Sequence, residues 1–144
     1  MVLAAVAALD GVRAVSPVIA SAPVGPSTRR FANAAMLVDS DLPPPAMLAR
    51  LKAIERDFGR RRGRRWGARV IDLDLIGWSG GAWRSPGLTV PHPRWRERRF
   101  VLAPLLAIMP GWRDPHTGLS VRRLHARLTA ARPLNRRMSA AAGP

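Results

Sequence analysis

Two aspartates occupy alternate positions in an apolar stretch of the sequence. Asp72 and Asp74 lie in the run Val70–Ile76, where aliphatic residues fill the positions around them. Because successive side chains of a strand point to opposite faces, we expect both carboxylates on one face, with their backbones about 6.5–7 Å apart. Carboxylates in that arrangement can converge on hard cations, such as the metal pairs that clamp a transferring phosphoryl group. The alternative interpretation is an exposed sheet face that carries solvated acids.

A cluster of arginines precedes this acidic strand. Residues 60–65 comprise five arginines and Gly63. A guanidinium presents a planar fork of donors that matches phosphate oxygens, so a magnesium-bound triphosphate would satisfy the carboxylates and the arginines together. The same cluster is compatible with a solvated loop or a nucleic-acid patch. The sequence contains no Walker-type glycine loop, which excludes a P-loop enzyme.

The overall charge is strongly basic. The net charge is +15 and the isoelectric point is about 12.0, with Lys52 as the only lysine. Such a chain suits a polyanionic ligand, although a codon bias toward arginine would give the same composition. The absence of cysteine excludes disulfides, thiolate metal sites and thiol nucleophiles. The longest uncharged run, Ala14–Thr28, is shorter than the ~20 residues of a membrane span, so we expect a cytoplasmic protein without a membrane partner.

Helical and strand patterns alternate along the chain in mixed order, which predicts an α+β or α/β sandwich around one sheet. A chain of 144 residues suggests one domain. We expect helices at 2–9, from the prolines at 43–45 to Gly59, at 100–109 with a break at Pro104, and after a capping Ser120. We expect strands at 15–20, interrupted by Pro17, and at 31–38, 70–76 and 88–90, a turn at 77–81, and loops at 23–30 and 60–65.

Three segments resemble one known family. Residues 65–74, Arg-Trp-Gly-Ala-Arg-Val-Ile-Asp-Leu-Asp, are similar to the signature R-W-G-P-R-x-x-D-L-D of the 6-hydroxymethyl-7,8-dihydropterin pyrophosphokinases, with Ala68 in place of proline. Residues 88–93 and 98–105 resemble the second conserved block of that family, and residues 31–35 resemble its pterin-side strand. The resemblance covers about residues 1–130.

The resemblance implies transfer of pyrophosphate from ATP to the hydroxymethyl group of the pterin, with release of AMP, in folate biosynthesis. Two Mg²⁺ ions would be held by Asp72 and Asp74. The implied catalytic residues are Arg60, Arg69, Asp72 and Asp74. The implied ATP-binding residues are Arg62, Trp66, Thr89, His92 and Arg98. The implied pterin-binding residues are Ser21, Pro23, Gly25, Phe31, Asn33 and Phe100.

The same resemblance implies a ferredoxin-like α/β sandwich with an antiparallel sheet. The first strand of the family, which ends in a Gly-Ser-Asn-type segment, has no counterpart in this sequence. We therefore expect residues 1–130 to be an N-terminally truncated pyrophosphokinase domain and residues 131–144 to be a basic, disordered tail. The expected partners are ATP and the pterin, with fusion to or proximity of other folate-pathway enzymes, and no nucleic acid. Two alternatives remain open, namely a basic RNA-binding module and an inactive truncated remnant of the enzyme.

Overall fold

The structure, a computed structural model, describes residues 6–21, 31–62 and 71–130, and the side chains at 21, 31 and 60–62 lie outside this description. Contacts divide the chain into two units, each built from two separate stretches of sequence. The first unit comprises Met1–Val15 and Met36–Pro93. The second unit comprises Ser16–Ala35 and Arg94–Pro144.

Helices and antiparallel strands are mixed along the described ranges. The strands are β1 (Val12–Val15), β2 (Ile19–Ser21), β3 (Phe31–Asn33), β4 (Met36–Val38), β5 (Trp83–Ser85) and β6 (Leu88–Val90). The helices are α1 (Pro44–Arg62), α2 (Arg99–Ile108) and α3 (residues 121–130), beside a helical stretch at 6–8 and a 3-10 turn at Trp95–Glu97. The strands pair in antiparallel twos, β1 with β4, β2 with β3, and β5 with β6. The predicted α+β class is confirmed.

In the first unit, β1 begins at a glycine turn. Gly11 has φ +80°, and its carbonyl accepts a 2.7 Å hydrogen bond from the N–H of Asp39. A Cβ at Gly11 would lie 2.1 Å from the Asp39 carbonyl oxygen, so the close approach of the two backbones requires glycine here. The predicted interruption at Pro17 is confirmed, because residues 16–18 belong to no strand, but β1 begins at Val12, earlier than predicted, and β2 follows at Ile19.

The core of the first unit lies on one face of α1. Leu51 and Ile54 are buried there with Leu9. Leu73 and Leu75, from the segment that carries the two aspartates, pack against this cluster. The helix therefore supports the acidic segment through apolar side chains.

The core of the second unit is built around Trp95, which is fully buried. Its ring centre lies 5.0 Å from that of Trp112, and Leu102 of α2 and Val121 of α3 are fully buried as well. Ser120 caps α3 as predicted, because its Oγ accepts a hydrogen bond from the N–H of Arg123 at 3.1 Å.

Two predictions about helices are wrong, the end of a helix at Gly59 and the break of another at Pro104. Helix α1 continues through Gly59 to Arg62, so residues 60–62 are helical and not part of a loop. Gly59 does not adopt the positive φ that a glycine helix terminus uses. Helix α2 continues through Pro104. The buried Pro104 ring lies in the core of its unit, and that packing offsets the backbone hydrogen bond that proline cannot donate.

Among the helices in the described parts of the chain, none has the length and apolarity that crossing a bilayer requires.

Candidate functional site

The segment that carries the two aspartates differs from the predicted strand. Within residues 71–77 the backbone forms no strand ladder with other described residues, and Val70 lies outside the description, so the strand assignment is wrong for the part that can be seen. The predicted alternation is nevertheless present. Asp72 and Asp74 are exposed, whereas Ile71, Leu73 and Leu75 are half-buried. Both carboxylates therefore lie on the solvent side of the segment.

Two contacts from other elements of the first unit hold this segment in place. The N–H of Leu73 donates a 2.5 Å hydrogen bond to Oε2 of Glu55 on α1. The carbonyl of Ile76 accepts a 2.9 Å hydrogen bond from the N–H of His92. These bonds replace part of a strand ladder, because a buried backbone N–H needs an acceptor, which a side chain can supply as well as a neighbouring strand.

Neither Asp72 nor Asp74 has a hydrogen bond or an ion pair with any other described residue. No group of three histidine, cysteine or acidic side chains that could hold a metal occurs within the described ranges. A pair of carboxylates is nonetheless sufficient for Mg²⁺, which is usually bound through one or two carboxylates with substrate phosphates and water in the other positions. The two free carboxylates fit that donor set.

The structure brings His92 to the acidic segment. His92 is the second residue after β6. The hydrogen bond from its N–H to the carbonyl of Ile76 places it beside the C-terminal end of the segment at 71–77 that carries the aspartates. Its ring is half-buried. Thr89, the other predicted nucleotide-binding residue of this stretch, is half-buried in β6 opposite Arg84 of β5.

The second unit carries Arg98, Phe100 and Asn33. Phe100 lies in the first turn of α2 and is 45% exposed. The guanidinium carbon of Arg98 lies 5.6 Å from the centre of the Phe100 ring, a cation–π distance. Asn33 is half-buried at the end of β3, opposite Ile19 of β2. An exposed phenyl ring on a helix turn provides a face on which a flat heterocycle can stack.

Asp114, an aspartate of the second unit, has hydrogen-bond partners for both of its carboxylate oxygens. The Asp114 side chain is fully buried and accepts two hydrogen bonds from the Arg96 guanidinium, one of them 2.7 Å long. It also accepts bonds from the N–H of His116 at 3.1 Å and from Oγ1 of Thr117 at 2.8 Å. The Arg96 hydrogen bonds lower the pKa of Asp114 from its usual 3.8 to about 2, and the same pairing raises the pKa of Arg96.

The other predicted site residues are placed only in part. The backbones of Arg60 and Arg62 belong to the last turn of α1, and Ser21 pairs with Phe31 between β2 and β3. The side chains of these four residues lie outside the described set. So do four residues in their entirety, namely Pro23, Gly25, Trp66 and Arg69.

Glu55 was not among the predicted site residues. A signal for it was present, because Glu55 lies four residues after Leu51 and next to Ile54, on the apolar stripe of α1. An acid on a core-facing stripe needs a hydrogen-bond partner, and here the partner is the backbone N–H of Leu73.

Comparison with known proteins adds a family and several relatives. The model of the family 7,8-dihydro-6-hydroxymethylpterin-pyrophosphokinase matches residues 1–110. The chain is 41% identical over 97 residues to the 2-amino-4-hydroxy-6-hydroxymethyldihydropteridine pyrophosphokinase of Synechocystis sp., which covers 67% of this chain and 50% of that protein. It is 42% identical over 103 residues to the protein of the same name in Pseudomonas aeruginosa, covering 71% of this chain and 64% of that protein.

A plant relative is longer. The chain is 49% identical over 80 residues to the mitochondrial folate synthesis bifunctional protein of Pisum sativum, which covers 56% of this chain and 16% of that protein. The chain thus matches less than two thirds of the length of each of these three relatives.

Proposed function

This chain belongs to the 7,8-dihydro-6-hydroxymethylpterin-pyrophosphokinase family, and on that premise we propose that it transfers pyrophosphate from ATP to 6-hydroxymethyl-7,8-dihydropterin. The products are AMP and the pterin diphosphate, and the reaction belongs to folate biosynthesis. The observation that carries the proposal is the pair of exposed aspartates, Asp72 and Asp74, without partners among the described residues, on a segment that α1 supports from behind.

The two aspartates are proposed to hold two Mg²⁺ ions. When bound, magnesium would neutralise charge on the ATP phosphates. Pyrophosphoryl transfer requires positioning and charge neutralisation from the protein and no covalent nucleophile. The backbone hydrogen bonds at Leu73 and Ile76 would keep the segment that carries the two carboxylates in place before ATP binds.

Basic residues are proposed to bind the phosphate oxygens. His92 stands beside the acidic segment, which supports its role next to the triphosphate. Arg60, Arg62 and Arg69 are proposed for the same role on the strength of the motif at 60–74, with Trp66 closing over the nucleotide. The remaining proposed ATP contacts come from Thr89 and Arg98.

The pterin is proposed to bind to the second unit. The exposed ring of Phe100 provides a stacking face, and the amide of Asn33 provides donors and acceptors for the edge of the heterocycle. Phe31 is proposed as the second stacking ring. The loop residues proposed to line the pocket are Ser21, Pro23 and Gly25.

The finer fold and the setting of the enzyme are proposals too. We assign a ferredoxin-like arrangement to residues 1–130, supported by the family match and the antiparallel pairing of β1–β6. We assign residues 131–144 to a basic tail and the protein to the cytoplasm. The bifunctional names of some relatives support an association with other folate-pathway enzymes.

The direct test is AMP formation by residues 1–144 from ATP, Mg²⁺ and 6-hydroxymethyl-7,8-dihydropterin, measured by chromatography. We expect AMP in proportion to the pterin consumed, and its loss in the Asp74→Asn variant. Asp41→Asn, at another exposed aspartate, is the matched control and should keep full activity. A folded chain that binds RNA in a salt-dependent way, forms no AMP and is indifferent to Asp74→Asn would support the RNA-binding alternative.

A further inference from the structure

We propose that Glu55 is a positioning residue that sets the geometry of the metal-binding aspartates through the backbone between them. The inference rests on the proposed function, because it concerns the same pair of carboxylates. Glu55 touches neither aspartate in this role. It acts on Leu73, the residue that separates Asp72 from Asp74.

The hydrogen bond to Glu55 starts from the backbone between the two aspartates. The N–H of Leu73 belongs to the peptide group that joins Asp72 to Leu73, and it donates to Glu55 Oε2 at 2.5 Å. A bond at this point fixes the rotation of that peptide plane. The plane contains the Cα atom of Asp72 and so restricts the direction of the Asp72 side chain, and it fixes the start of the next peptide group, which leads to Asp74.

Glu55 is itself held on the packed helix α1. Its side chain is only 15% exposed, and its other oxygen, Oε1, lies 3.4 Å from Nζ of Lys52 one turn earlier. The neighbouring Leu51 and Ile54 are buried in the core of the unit. The carboxylate is therefore attached to the packed face of α1, and a charged acceptor forms a stronger bond to an N–H than a neutral one does.

Helix α1 holds Leu73 by two different contacts. The Leu73 side chain packs against the Leu51 and Ile54 cluster, while its N–H is bonded to Glu55. The apolar contact fixes which side of the segment faces the core. The hydrogen bond fixes the peptide plane, which packing alone leaves free to rotate. Together they hold both aspartates toward solvent without a strand ladder among the described residues.

The experiment measures metal binding apart from catalysis. Mn²⁺ is titrated into the full chain with the non-hydrolysable ATP analogue β,γ-methylene-ATP, and free Mn²⁺ is followed by electron paramagnetic resonance. Glu55→Met removes the acceptor while filling the space, and we expect it to weaken Mn²⁺ binding by about tenfold, the lower end of the effect of losing a residue that orients metal ligands. Glu55→Gln keeps an acceptor oxygen and should restore affinity to within about twofold of the wild type.

Lys52→Ala is the matched control, because it removes the exposed partner of Glu55 and leaves the bond to Leu73 intact. We expect its Mn²⁺ affinity to equal that of the wild type. The amide proton of Leu73 gives a second readout by NMR. It should resonate at low field in the wild type, Lys52→Ala and Glu55→Gln, and move upfield in Glu55→Met.

Distinct results would overturn the inference. If the Leu73 proton moves upfield in Glu55→Met while Mn²⁺ affinity stays at the wild-type value, the bond is structural only, and the proposed function stands. If the wild type binds no Mn²⁺ in the presence of the analogue, the proposed metal site and this inference fall together. If Glu55→Met does not fold, the chemical shift of the Leu73 amide proton in the wild type tests the inference. An ordinary chemical shift would contradict the hydrogen bond to Glu55 and overturn the inference.

Discussion

Asp114 and the pair formed by Asp72 and Asp74 place the same side chain in opposite environments. Asp114 is 1% exposed and is bonded to a guanidinium, a backbone N–H and a hydroxyl. Asp72 and Asp74 are exposed and have no partner among the described residues. A carboxylate whose lone pairs are filled by the protein stabilises the fold, whereas one whose lone pairs are free can bind a ligand. The two units thus use aspartate for stability in one case and, we propose, for catalysis in the other.

The largest expected effect is on the free pair. Asp72→Asn or Asp74→Asn should reduce AMP formation by about 100- to 1,000-fold, the range seen when one preorganised electrostatic group is removed from an active site. The free energy of unfolding should change by less than about 0.5 kcal/mol, because an exposed side chain without a partner contributes little to stability. Steady-state kinetics and urea denaturation measure the two quantities. Wild-type turnover in either variant would show that the aspartates without partners among the described residues have no role in catalysis, and the contrast with Asp114 would not hold.

The reverse pattern is expected for the bonded aspartate. Asp114→Ala should lower the free energy of unfolding by about 3 kcal/mol, because it leaves the partly buried guanidinium of Arg96 without its partner. The Mn²⁺ affinity of the folded fraction should not change. Asp41→Ala, at an exposed position, is the control and should have almost no effect on stability. A loss below that of the control would show that the bonds to Asp114 contribute nothing net.

Acid should reduce the contribution of Asp114 to the free energy of unfolding within a defined pH range. Because the folded-state pKa of Asp114 is about 2, below its usual 3.8, its contribution is present in full above about pH 5 and is lost progressively as the pH falls toward 2. The size of that contribution is about 2 kcal/mol. Urea denaturation of the wild type and of Asp114→Asn at several pH values measures it as the difference between the two proteins. A difference that stays constant from pH 5 to about 2 would contradict the lowered pKa.

The smallest expected effect concerns the exposed ring of the second unit. Phe100→Ala should weaken binding of the pterin by about tenfold, the lower part of the range for loss of one aromatic stacking contact. Stability should change little, since the ring is 45% exposed. Phe100→Tyr keeps the ring and serves as the control. Pterin fluorescence measures the affinity, and equal binding by all three proteins would remove Phe100 from the proposed site.

Local patterns of the sequence accounted for several elements and for the exposure of the aspartates. The prolines at 43–45, two of which lie in the first turn of α1, and the capping Ser120 before α3 predicted helix starts, because both signals act within a single turn. The triplet Leu88–Val90 was correctly predicted as a strand. The alternation around Asp72 and Asp74 was correct even though no ladder forms in the described part, since apolar side chains face the core whether or not the backbone is paired.

Other features were not visible in any local pattern. Gly59 and Pro104 belong to residue types that often end or interrupt helices, yet the helices continue through both. At Pro104 the packing of the buried ring outweighs the local preference. Arg96 and Asp114 are 18 residues apart in sequence, and so are Glu55 and Leu73. No periodicity connects residues at such a separation.

The sequence by itself determined the family, the α+β class and the solvent-facing position of the two aspartates, since each depends on residue types at short spacing. The tertiary structure alone decided which acids are bonded and which are free. That distinction depends on whether a distant donor reaches the carboxylate, as Arg96 reaches Asp114 and as the N–H of Leu73 reaches Glu55. Hydrogen bonds act only at contact distance, and chain folding decides which distant groups come into contact.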